Sequence, residues 1–266
     1  MLQLTIEEFI EYLELKVEQS KLSARTIPTY TSHARGYIDW LDGRFFSQEL
    51  AQSYIDYLKK EGRSSSTVST AAYAVKLYHK VSGSTIEIDR PPVSIPEPKY
   101  LEEKEIKMLL DNCSTSFERV LLTVLYDSGM RISELLSIKT DDIDRTLGLI
   151  TVTRKGGRRD RVNVSQQSID ALDTWLEYRS YDSKEVFKTD YRSSLKVLKN
   201  LGLKVGIKVT PHMLRHSRAV QMLISGAEPY VVQQHLGHKS LATTMDIYGK
   251  MKPVQLREKI PAMFSS

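Results

Sequence analysis

Six residues in the second half of this 266-residue chain are suited together to one reaction, the handling of a phosphodiester without a metal. They are Arg131, Lys155, His212, Arg215, His238 and Tyr248. The strings that carry them are Gly129-Met130-Arg131-Ile132-Ser133-Glu134-Leu135, Arg154-Lys155-Gly156-Gly157, His212-Met213-Leu214-Arg215-His216, Leu236-Gly237-His238-Lys239-Ser240 and Thr243-Thr244-Met245-Asp246-Ile247-Tyr248. Tyr248 is the candidate nucleophile. A phenol is ionised about one time in a thousand at neutral pH, so it needs cationic or basic neighbours to attack phosphorus. The phosphotyrosyl bond formed would store the energy of the broken phosphodiester, and rejoining would need neither ATP nor metal. Among 14 tyrosines, Tyr248 alone would read as a buried aromatic near a helix end; the strings upstream single it out.

Guanidinium is permanently charged and binds phosphate through two parallel hydrogen bonds, so Arg131 and Arg215 are placed on the non-bridging oxygens. Glu134, three residues after Arg131 and one helical turn away, is a supporting residue that holds the arginine's orientation. His212 and Arg215 are also three apart, so on a helix they meet one phosphate from one face. Pro211 before His212 marks a helix start, where backbone amides favour anions. An imidazole there can take the tyrosine proton or hold a phosphate oxygen. His238 follows Gly237, whose turn allows a close approach to the phosphate. His216 is given a structural role, and His235 reads as a satisfied core histidine. Lys155, at the tip of a predicted hairpin, could protonate the departing oxygen. Arg154, Arg158, Arg159 and Arg161 crowd the same tip, which leaves open that it merely touches a backbone.

The elements that must position these groups fall into two parts. Thr5 with Glu8 is a capping box, behind which Ile6, Phe9, Ile10, Leu13 and Val17 recur at helical spacing. A second helix is predicted over 26–41, a third after Ser47, and a fourth capped by Ser65 or Ser66. Residues 91–98, with prolines at 91, 92, 96 and 98, form a semi-rigid linker between a domain over 1–90 and another over 99–266. In the second part, helices are predicted over 101–110, 117–128, 132–138, 166–178 and 191–201, from Pro211, and from Pro229 near Val231. β-rich runs over 148–154 and 160–164 give the hairpin. The fold class is therefore mainly α: four N-terminal helices, then a mostly helical α+β domain with a small antiparallel sheet.

Bulk properties restrict the partners. Hydrophobic content of 41% and charged content of 27% suit a soluble globular protein, with no apolar run long enough to span a bilayer. The N-terminus does not read as a signal peptide, and a cytoplasmic location is expected. Cys113 is the only cysteine, which excludes an internal disulfide and a thiolate metal cluster; no cofactor or metal is expected. The net charge is +5, but residues 1–90 carry 11 Lys+Arg against 12 Asp+Glu, and residues 91–266 carry 27 against 21. The early acidity sits in Glu7, Glu8, Glu11, Glu14 and Glu18, so the rest is net basic, as a polyanionic partner requires.

In order and spacing the five strings resemble the active site of the tyrosine recombinases, the family of phage integrases and Xer-type chromosome-dimer resolvases. The resemblance implies that residues 1–90 are a core-binding domain gripping duplex DNA and that residues 99–266 are catalytic. It implies a link from Tyr248 to a 3′ phosphate with release of a 5′ hydroxyl, and it favours Lys155 over its basic neighbours. It further implies a tetramer on two duplexes at a specific site, a Holliday-junction intermediate, and service in dimer resolution or in integration and excision, with or without an accessory protein. The segment around Val254, Leu256 and Ile260 would dock on a neighbouring protomer or on its own domain. Arg218 stands where an aromatic is more common, and Lys250 where a small-polar-plus-His pair is frequent. Two other readings use the same residues: a type IB-like topoisomerase, which needs no tetramer, and a DNA-binding protein of this fold that does not cleave.

Overall fold

A computed structural model describes residues 4–90, 100–154 and 157–237 of the chain. The chain divides into two compact units, Met1–Pro96 and Glu97–Ser266. The proline-rich segment 91–98 lies outside the described residues, as does the predicted amphipathic segment 253–260.

The first unit holds four helices, α1 (Ile6–Glu18), α2 (Thr26–Leu41), α3 (Gln48–Lys60) and α4 (Ser65–Val81). Thr5 and Glu8 cap α1 reciprocally, so two amides that have no partner within the helix are satisfied. Ser47 accepts from the Leu50 amide at the start of α3. On α4 the cap is Ser64, not Ser65 or Ser66. Ser64, Ser65 and Ser66 offer the same hydroxyl, and packing sets the phase: starting the helix at Ser65 buries Val68, Ala72 and Val75 on one face.

The core between these helices is aromatic. Tyr37, Phe46 and Tyr54 pack with ring centroids 5–7 Å apart, a spacing suited to edge and offset contacts. His79, fully buried on α4, meets the Tyr37 hydroxyl through Nε2 at 2.9 Å, while its Nδ1 has no hydrogen-bond partner among the described residues. Burial pushes the His79 imidazole down to about 4 and the Tyr37 phenol well above its ordinary value.

In the second unit α5 (Glu103–Asp111) is followed by α6 (Ser116–Ser128), α7 (Ile132–Leu135) and a 3₁₀ turn over Thr140–Asp142. The strands β1 (Ile143–Asp144), β2 (Leu149–Thr153) and β3 (Arg159–Asn163) form an antiparallel sheet in the order β1-β2-β3. Helices α8 (Gln166–Tyr178), α9 (Tyr191–Lys204), α10 (Pro211–Ile224) and α11 (Pro229–Leu236) complete the described part. In the β2–β3 register Val152 lies opposite Asp160 and Thr153 opposite Arg159. The short β1 was not predicted, because two residues carry no readable alternation.

Two predicted boundaries move for reasons the contacts supply. Leu101 lies outside α5; its amide donates to the Ser217 hydroxyl at 2.7 Å, and Glu102 and Glu105 form the capping box instead. α9 continues to Lys204, whose ammonium reaches Glu118 at 2.9 Å. The main core of this unit gathers α6, α8, the sheet and the start of α10 around Leu121, Leu125, Ile150 and Leu172. No helix among the described residues is long and apolar enough to cross a membrane.

Candidate active site

α6 ends at Gly129, which takes a left-handed conformation (φ 58°) and so turns the chain directly into Met130 and Arg131. A side chain at this glycine would collide with Leu236 at the end of α11. Met130 and Ile132 are buried, so Arg131 stands between two anchors as the N-cap of α7. Its amide donates to Glu134 Oε2 at 2.9 Å and its Nη1 to Glu134 Oε1 at 2.7 Å, while the side chain stays 41% exposed. One carboxylate therefore fixes both the backbone and the guanidinium of an arginine that still faces solvent.

Arg215 occupies the buried side of α10. Thr210 caps that helix by accepting from the Met213 amide, and Pro211 fills the first turn, where a missing N–H costs nothing. Only 7% exposed, Arg215 donates from Nη1 to the Gly129 carbonyl at 2.6 Å and from Nη2 to the Leu236 carbonyl at 2.7 Å. It ties together the turn before Arg131 and the turn before His238. Burial pushes its guanidinium down to about 10, and the charges of Arg131 and Arg154 push in the same direction, against Glu134. His212, three residues before Arg215 on α10, is exposed. His216 packs near the Tyr100 ring at 6.3 Å between centroids.

Arg154 corrects the picture of a uniformly basic hairpin tip. Its guanidinium is buried and donates to Glu134 Oε2 at 2.8 Å, whereas Arg158, Arg159 and Arg161 are well exposed. The signal was present in the strand. Ile150 and Val152 face the core, and at a two-residue period the next inward position is 154.

A second buried carboxylate, Asp127, also escaped the sequence reading. It accepts from the Ser165 amide at 2.5 Å and the Ser168 hydroxyl at 2.7 Å, and pairs with Arg218 at 3.2 Å. Arg218, in a position where an aromatic is more common, thus has a carboxylate partner two residues before Gly129. His235 is satisfied on one side only: its ring is hydrogen-bonded to the Asp127 backbone, its Nε2 is buried with no partner among the described residues, and burial lowers its pKa. Lys155, His238 and Tyr248 lie outside the described residues. What the structure brings together is Arg131, Glu134, Arg154 and Arg215, with the chain leading directly into Lys155 and His238.

The chain belongs to the phage integrase family, whose model matches residues 99–253, and within it to the Xer-like tyrosine recombinases, which are site-specific recombinases. It is similar to tyrosine recombinase XerA of Thermococcus kodakarensis, with 34% identity over 95% of this chain and 93% of that one. Against tyrosine recombinase XerD of Staphylococcus epidermidis the identity is 26% over 95% and 96%. Among solved structures, a XerA recombinase matches with 28% identity over 96% of both chains and a TM-score of 0.56. A XerH recombinase in a post-cleavage complex with a palindromic difH substrate gives a TM-score of 0.73 over 94% of this chain and 84% of that one; at 18% identity it speaks to the fold alone.

Proposed function

We propose that this recombinase cuts and rejoins duplex DNA through Tyr248. The phenol oxygen bonds to phosphorus, the bond to the 5′ oxygen breaks, and a 3′-phosphotyrosyl link holds one strand end until a 5′ hydroxyl reverses the step. Arg131 and Arg215 hold the non-bridging oxygens, His238 bonds to one of them, and Glu134 supports Arg131. His212 takes the phenol proton or holds a phosphate oxygen, and Lys155 protonates the leaving 5′ oxygen.

The observation that carries this reading is the charge balance around Arg215. Arg131 and Arg154 pair with Glu134, and Arg154 also with Asp160, whereas Arg215 donates only to two neutral carbonyls and is held below its ordinary pKa by burial and by the other two cations. Such a cluster is relieved by the single negative charge of a phosphodiester, and most by the second charge that a pentavalent phosphorus carries.

Residues 1–90 would grip the duplex as a core-binding domain joined through 91–98 to the catalytic domain, 99–266. Four protomers would act on two cognate sites through a Holliday junction, in the cytoplasm, in chromosome-dimer resolution or in integration and excision, with an accessory protein where the site demands one.

The test is a nicked duplex carrying a site selected from the source chromosome by binding, incubated with the full chain in the presence of a chelator. A covalent protein–DNA adduct is expected from the wild type and none from Tyr248→Phe. An adduct that survives Tyr248→Phe overturns the assignment. Relaxation of supercoils without junctions would favour topoisomerase activity, and binding with no adduct a protein that does not cleave.

A further inference from the structure

We propose that Arg154 is a positioning residue that fixes the base of the β2–β3 hairpin, from which the chain enters Lys155, to the carboxylate that also holds Arg131. The proposal rests on the reading of Lys155 as the proton donor.

Three contacts point the Arg154 guanidinium inward. Nη1 donates to Glu134 Oε2 at 2.8 Å, Nε to Asp160 Oδ2 at 3.4 Å, and Nη2 to the His235 carbonyl at 3.5 Å. Arg154 is 6% exposed and its charge is already paired with the Glu134 and Asp160 carboxylates, whereas Arg215 donates only to neutral carbonyls, so Arg154 is not a third phosphate clamp. Its main chain is equally engaged. The amide donates to the Arg158 carbonyl at 2.7 Å, and the carbonyl accepts from the Gly157 amide at 3.0 Å, closing the loop that contains Lys155. One residue thus joins α7, β3 and the end of α11 to the base of that loop.

Gly237 strengthens the case. A Cβ there would sit 2.7 Å from Arg154 Cζ, so the guanidinium lies directly against the backbone that precedes His238. Lysine could not do the same work, because a single ammonium on a flexible stem cannot span Glu134, Asp160 and the His235 carbonyl as a planar fork does. A general acid displaced by about 1 Å loses about 10²-fold in rate, which is the scale expected when this anchor is removed.

The distinguishing experiment replaces the scissile 5′ oxygen by sulfur in the nicked duplex. A thiolate departs without a proton, so a defect confined to the general acid disappears on the sulfur substrate. On the oxygen substrate, Lys155→Ala and Arg154→Met should both cleave about 10²-fold or more slowly. On sulfur both should recover most of that loss, and Arg154→Met/Lys155→Ala should be no slower than Lys155→Ala. Arg154→Lys, which keeps the charge but not the fork, should show a smaller loss with the same recovery, and it decides the matter if Arg154→Met does not fold. If sulfur rescues Lys155→Ala but neither Arg154 variant, the Arg154 proposal falls alone. If Lys155→Ala is itself not rescued, the reading of Lys155 falls and carries the proposal with it.

Discussion

Replacing Glu134 by Gln removes the one negative charge that Arg131 and Arg154 share while keeping the side chain's size. Glu134 Oε2 accepts from both the Arg131 amide and Arg154 Nη1, and Oε1 from Arg131 Nη1. The amide nitrogen of Gln must face one of these donors. At 2.8 Å and an effective dielectric of about 20, the attraction between Glu134 and Arg154 is about 6 kcal/mol. The Arg131 pair adds less, because that arginine is 41% exposed and screened by water. Desolvation offsets part of the gain, and breaking a buried pair from one side typically costs about 3–5 kcal/mol. In a unit of this size that is a fall in melting temperature of about 6–20 °C. The assay is thermal unfolding of the full chain for Glu134→Gln, Arg154→Met and the pair together. With the Arg154 charge also gone, the double variant should recover about 2 kcal/mol relative to the sum of the singles. Additivity within about 0.5 kcal/mol would refute the shared-carboxylate account, as would a Glu134→Gln variant that melts with the wild type.

Acid should loosen the first unit through His79. Its folded pKa is lowered, so its contribution is complete above about 6.5 and is lost as pH falls toward about 4, amounting to about 3 kcal/mol. Trp40 fluorescence in a Trp175→Phe background reads this unit, and Tyr37→Phe/His79→Leu should flatten the slope; an unchanged slope would assign it elsewhere. Gly129→Ala should destabilise by about 1–2 kcal/mol through its left-handed backbone, and by about 1–3 more through crowding of Leu236, seen as a lower melting temperature. Arg215→Lys should lower both adduct formation and stability, since one ammonium cannot serve two carbonyls and a phosphate; a loss of adduct with unchanged melting would mean that the carbonyl contacts are incidental. DNA affinity should fall steeply with salt, and insensitivity between about 50 and 200 mM would count against phosphate neutralisation.

What the chain revealed in advance depended on how far apart the cooperating residues lie. Local signals were readable: Thr5 with Glu8, Ser47 before α3, Gly129 after α6 and Pro211 opening α10 each act within one helical turn. The paired spacing Arg131–Glu134 was readable for the same reason, whereas His212 and Arg215 share α10 with the first exposed and the second buried. Arg154 was misjudged because its neighbours in sequence are exposed arginines, whereas its acceptors come from 20 residues before it, in Glu134, and 81 after it, in His235. Asp127 was missed likewise, because its partners Ser165 and Ser168 arrive from the far side of the hairpin. The choice among Ser64, Ser65 and Ser66 needed the packing of α4, which no local pattern contains.

The two carbonyls gathered by Arg215 bear on how such a site could decay. Arg131 is half-exposed and its loss would subtract a charge, but losing Arg215 would unfasten the turns after α6 and α11 together. A descendant drifting toward passive DNA binding would therefore shed the solvent-facing arginine early and keep the hidden one, as part of its scaffold, long after the chemistry had gone.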